Sequence, residues 1–177
     1  MYGLGALTGP TPKRIRIGIA TVARELGFHS KSLRMFNNLV DCYQPLISKD
    51  KLSERGKANY AMALAGRGKA YKKIAECEKE NNVQAWKENA RKARDDIKES
   101  ADILKKLGKY KHPLKYAYVQ NALGESILLY GPATFADLNK DFLYPSAEQC
   151  FQNAVDVLPK WMKAKENRAK NKMIEGE

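Results

Sequence analysis

Two histidines, three cysteines and a pair of adjacent aspartates are the residues of this chain with the most chemistry to offer. A general base or metal ligand needs converging partners of matched acidity. His29 follows Gly27 in a turn and His112 precedes Pro113 in another, and neither has a Cys, Asp or Glu at ligand spacing. Both read as solvent-facing turn residues. Cys42, Cys77 and Cys150 are odd in number, far apart and never in a CxxC pair, so neither a disulfide framework nor a zinc site is indicated. Each falls in a helical stretch beside apolar residues, the setting of a buried, inert thiol. Ala65-Gly66-Arg67-Gly68-Lys69-Ala70 approximates the end of a phosphate-binding loop but has Ala63 where the first glycine belongs and Ala70 where the hydroxyl belongs. Gly3, Gly5 and Gly9 follow no strand, which leaves no dinucleotide fingerprint. Asp95-Asp96 lies between Arg94 and Lys98 and reads as solvated ion pairs. No catalytic, cofactor or metal residue is assigned, and the chain is expected not to be an enzyme.

Charge and aromatic rings are a better lead. The 177 residues carry a formal net charge of +12, which favours an acidic partner: a protein face, nucleic acid or anionic lipid. The expected contact residues are Trp86, Tyr110, Tyr116, Tyr118, Trp161 and Lys163, taken as exposed aromatic and basic groups. A Lys-rich end, Lys160 to Lys172, surrounds Trp161 with positive charge. Protein subunits with acidic surfaces are the leading partners, and RNA is the alternative. No apolar run approaches the roughly 18 residues that cross a bilayer.

The elements that must hold these residues read as helices throughout. Met1 to Pro12, with three glycines and two prolines, is an extended arm. Residues 13–159 form one helical domain, and 160–177 a basic tail. Ile15, Ile19, Val22 and Leu26 share one helical face, and Gly27 stops that helix. Ser30 or Ser32 caps a second, carrying Leu33, Phe36, Val40 and Tyr43 until Pro45 ends it. A third begins after Ser53 and should kink or break at Gly66 and Gly68, each costing about 1 kcal/mol against alanine. Asn81 and Asn82 turn the chain into a long, exposed helix from Val83 to Leu107, stopped by Gly108. Another follows Pro113 and ends at Gly131-Pro132. Residues 133–144 connect it to a last helix over Ser146 to Leu158. No stretch alternates like a strand, so the fold class is all-α, with about six to eight antiparallel helices.

Helical hairpins that cannot bury their own apolar faces stack on one another. Ala147, Phe151, Ala154 and Pro159 recur at the intervals of the second helix of a tetratricopeptide repeat, with Leu123-Gly124 and Ile127 as the matching part of a first helix across an insertion of about eleven residues. Ser32, Phe36 and Leu39 repeat the pattern in a degenerate form, with Pro45 one residue late, and equally resemble a pentatricopeptide repeat. Residues 53–107 match neither pattern well. The chain thus resembles a short tetratricopeptide- or pentatricopeptide-like solenoid, which implies a binding or scaffold protein. With its size, its basic charge and an acid-free start from Met1 to Arg24, it also resembles the small accessory subunit of the mitochondrial ATP synthase head of euglenozoan protists. That resemblance implies a structural role on the outside of a catalytic subunit, with mitochondrial localisation; otherwise a cytoplasmic one is expected.

Overall fold

The computed structural model describes residues 13–130, 146–160 and 165–170. Among them the chain is all-helical, and six helices carry the fold: α1 (Lys13–Glu25), α2 (His29–Ile47), α3 (Glu54–Glu78), α4 (Val83–Leu107), α5 (Pro113–Tyr130) and α6 (Ala147–Val157). The boundaries follow from local chemistry. Gly27 and Gly108 take φ of +85° and +96°, a left-handed turn that suits glycine, and so end α1 and α4. The side chains of Ser53, Asn82 and Ser146 each accept a hydrogen bond from a backbone N–H three residues on, at 3.2, 3.0 and 3.0 Å, capping α3, α4 and α6. Pro113 opens α5, where its missing N–H costs nothing.

Short turns make successive helices antiparallel, and the packing follows chain order. Each helix lies against the next, and the odd-numbered helices also touch, α1 on α3 and α3 on α5; no other pair of these six is in backbone contact. The core divides accordingly. Phe36, Leu39, Val40, Tyr43 and Leu64 bind the first hairpin to α3. Ile97, Leu104, Val119 and Leu123, with small residues of α3 such as Ala61 and Ala65, bind α3, α4, α5 and α6. Two buried serines tie hairpin partners together: Ser32 donates to the Ala20 carbonyl at 2.7 Å, and Ser100 to that of Ala61 at 2.6 Å.

Several expectations are corrected. Helix α3 runs unbroken through Gly66 and Gly68 because both are contact points. A Cβ on Gly66 would sit 2.2 Å from the Phe36 ring, and one on Gly68 would sit 2.7 Å from the Ala93 carbonyl oxygen and from Ile97. The would-be phosphate loop is therefore the middle of a packed helix. Pro45 lies inside α2, which continues to Ile47, and Ser32 bridges two helices where a cap was expected. Helix α1 is rotated from its expected register: Ala20 and Arg24 are buried, whereas Ile15, Val22 and Leu26 are 52%, 57% and 67% exposed. Helix α4 is long but not wholly exposed, since Ala93, Ile97, Ala101 and Leu104 are core. The arm over 1–12 and the connector over 133–144 lie outside the described residues.

Candidate interaction site

The six expected contact residues do not form one surface. Trp161 and Lys163 lie outside the described residues. Tyr116 is a correction: it faces inward from α5 with only 5% of its surface exposed, because residues 116, 119, 122 and 123 share the buried face of that helix. Tyr118 is half-buried and held between helices. The Lys69 ammonium lies 4.6 Å above its ring, and Arg24 donates to its hydroxyl at 3.5 Å. Trp86 is half-buried in the first turn of α4. Tyr110 is exposed, as expected, in the turn between α4 and α5, with the Lys109 ammonium 5.0 Å from its ring centroid.

Tyr110 and Tyr116 nevertheless meet at one feature. Helices α4 and α6 both pack on α5 without backbone contact between them, and the described residues of all three line an open groove of about 970 Å³. Its α4 wall carries Lys98, Asp102 and Lys105, at helical spacings that put all three on one face. The turn after α4 adds Lys109, Tyr110 and Lys111, and α5 supplies the floor through Tyr116, Gln120 and Leu123. From α6 come Gln149 and Asn153. The amides form a chain, with Gln149 donating to Asn153 at 3.3 Å and Asn153 to Gln120 at 3.4 Å. Lys98 pairs with Asp102 at 3.0 Å and Lys111 with Glu54 at 2.7 Å. Lys105 and Lys109 have no carboxylate within ion-pair distance among the described residues. Burial pushes the Tyr116 phenol up, opposed by the nearby Lys109 charge.

A second basic surface crosses the odd-numbered helices. Lys115 of α5 reaches over α3 to donate to Asn59 at 2.9 Å. Burial lowers its pKa first, and the positive charges of Arg14 and Arg55 add to the effect. Lys72 is likewise lowered by burial, which Glu125, 3.5 Å away, opposes. The third surface is apolar. Ile15, Val22 and Leu26, with Phe28 beyond them, make an exposed stripe along the outer side of α1, the first helix of the array.

Other chemistry-bearing residues take structural positions. Asp96, expected to be solvated, is buried and receives two hydrogen bonds from Arg67, both 2.7 Å. Its neighbour Asp95 is exposed as expected and pairs with Arg94 at 2.7 Å, but Arg94 itself is buried, so that pair is only half solvated. Cys150 is buried and its thiol is pushed up to about 12, whereas Cys42 and Cys77 are exposed, contrary to expectation. His29 and His112 stand at the starts of α2 and α5 and are half-buried. No described helix is long and apolar enough to cross a membrane.

Sequence reading reached Tyr110 and Tyr116 through their ring type and missed the groove lysines and amides. Lys98, Asp102 and Lys105 at i, i+4 and i+7 were the available signal, but the amides of α5 and α6 become neighbours only through the packing. No protein-family model, curated protein or solved structure matches this chain.

Proposed function

We propose that this protein is a non-catalytic accessory or scaffold subunit, a short stack of helical hairpins of tetratricopeptide or pentatricopeptide type, held inside a larger protein assembly. One observation carries the reading. A stack of hairpins ends on outer helices whose free faces meet water, and such end faces are ordinarily polar. Here the outer side of α1 offers Ile15, Val22 and Leu26 to solvent, all more than half exposed. An apolar stripe of this kind marks a surface that a further protein covers. The order of helix contacts and the glycine–phenylalanine joints support the stacked-hairpin part of the proposal. The resemblance of the sequence to the accessory subunit of the ATP synthase head makes a mitochondrial assembly of that kind the proposed setting.

RNA binding of the pentatricopeptide sort is the second reading, favoured by the lysines around Tyr110. Salt separates the two. Binding that neutralises phosphates weakens steeply as salt rises, and sequence-selective readout persists at physiological ionic strength only where bases are contacted. Titration of labelled single-stranded RNAs of different sequence, from low to physiological salt, is expected to show weak binding that is indifferent to sequence and collapses with salt. Sequence-selective binding at physiological salt, lost on changing surface residues of α1 and α2, would replace the subunit reading with the RNA reading.

A further inference from the structure

We infer that the groove between α4 and α6 is a docking channel for an acidic, partly apolar segment of a partner protein in extended conformation. The inference rests on the subunit reading above and adds a place and a chemistry to it. Three properties of the groove converge on such an occupant.

The first is charge. Of the four lysines that line the groove, Lys98 pairs with Asp102 and Lys111 with Glu54, whereas Lys105 and Lys109 are not neutralised by any described carboxylate. Lys105 on the α4 wall and Lys109 at its end thus give two spaced positive points that match Asp or Glu side chains. The second is the amide chain. Gln149, Asn153 and Gln120 offer N–H donors and carbonyl acceptors side by side, joined by hydrogen bonds of 3.3 and 3.4 Å, which are long enough to be exchanged for bonds to a ligand. An extended peptide exposes the same two groups along its backbone, so donors and acceptors on both sides are satisfied together. The third is the floor. Leu123 of α5 and Ala101 of α4, core residues only 2% and 5% exposed, line its base and present it with an apolar surface for a side chain that points away from the acidic ones. Nucleic acid fits less well. Among the described residues no arginine lines the groove, and its one exposed ring, Tyr110, already carries the Lys109 ammonium, which offers no platform for successive bases.

The groove also has a structural origin. It exists because α4 and α6 pack on α5 and not backbone to backbone on each other, so that among the described helices none fills the space between them.

Fluorescence anisotropy with a labelled peptide of alternating glutamate and leucine, added to the full chain, tests the inference. The peptide should bind saturably, and Lys105→Glu with Lys109→Glu should weaken it about tenfold or more. Both lysines are on the surface, so thermal unfolding should not change. A control with the same charge change away from the groove, Lys31→Glu on α2 with Lys79→Glu at the end of α3 opposite Glu54, both exposed, should bind within about twofold of the parent. Equal loss in the two double variants would reduce the effect to net charge and overturn the groove. So would the absence of peptide binding, or displacement of the peptide by an equimolar single-stranded oligouridine. None of these outcomes would touch the apolar stripe of α1, so the subunit reading stands or falls separately.

Discussion

Tyr60 and Cys150 are acids that the fold keeps neutral. Tyr60 is 3% exposed, and its hydroxyl donates to Glu99 at 3.3 Å; burial, with Glu99 adding to it, pushes the phenol up to about 12. The Cys150 thiol reaches about 12 through burial alone. For both, the folded pKa lies above the unfolded one, so the stabilisation is complete below the unfolded value and is lost as pH rises through the folded value. Stability should therefore fall between about pH 9, where a free thiol ionises, and pH 12. Thermal melts across that range should show the decline, and Cys150→Ala should delay its onset; a flat profile to pH 12 would contradict the burial of both groups. A thiol reagent at neutral pH should modify Cys42 and Cys77 promptly and Cys150 only after unfolding. Asp96→Ala should cost about 3 to 5 kcal/mol in denaturant melts, since it leaves Arg67 unpaired at a largely buried position. The sequence signalled these residue types but not their surroundings. Cys42 directly precedes the buried Tyr43 on α2 and yet faces water, and Asp96 directly follows the exposed Asp95, because one step along a helix turns a side chain by about 100°.

Helix joints give the sharpest test at the next scale. As helix residues alone, Gly66 and Gly124 are weak, and alanine at either should add about 0.5 to 1 kcal/mol. As joints they admit the rings of Phe36 and Phe151, both fully buried, and an added Cβ would lie 2.2 Å from the first and 2.6 Å from the second. Overpacking prevails in this contest, so each Gly→Ala change should destabilise by about 1 to 3 kcal/mol in denaturant melts. Stabilisation by either would show that the rings yield and that the joints are loose. Phe36→Ala or Phe151→Ala should cost about 3 to 5 kcal/mol by cavity formation. Helix ends were largely legible because caps are local: Ser53, Asn82, Ser146, Gly27 and Gly108 all act where their chemistry indicates. The register of α1 was not. Its larger apolar stripe, Ile15–Ile19–Val22–Leu26, looks like the core face, but the contact with α2 is made through Ala20, whose small side chain lets Ser32 reach its carbonyl. The expected break at Gly66 failed for a related reason, since a propensity cost is visible in one segment whereas the ring that offsets it comes from another.

At the scale of the whole molecule, hairpin order was legible and its closure was not. The all-α class and the antiparallel succession follow from periodicity and short turns, and the structure has both. The basic tail was expected to continue as helix or fray, outside the repeat pattern; residues 165–170 are helical and tied to the fold, with Arg168 pairing to Glu148 at 2.6 Å and Asn167 donating to Asn121 and Glu125 at 3.0 Å each. Truncation after Leu158 should thus lower stability by about 1 to 2 kcal/mol while the hairpins stay folded, read as a melting point a few degrees lower with an unchanged helical spectrum. The central claim is that the outer face of α1 is made to be covered by another protein. Its most direct test is to isolate a tagged chain from its native cells at physiological salt, beside Ile15→Glu with Val22→Glu, two exposed positions two turns apart on that face. The account predicts that the parent brings down a stoichiometric protein partner resistant to nuclease, and that the double variant melts at the same temperature but comes down alone. Recovery of the parent as a free monomer, or equal retention of the partner by the double variant, would contradict it.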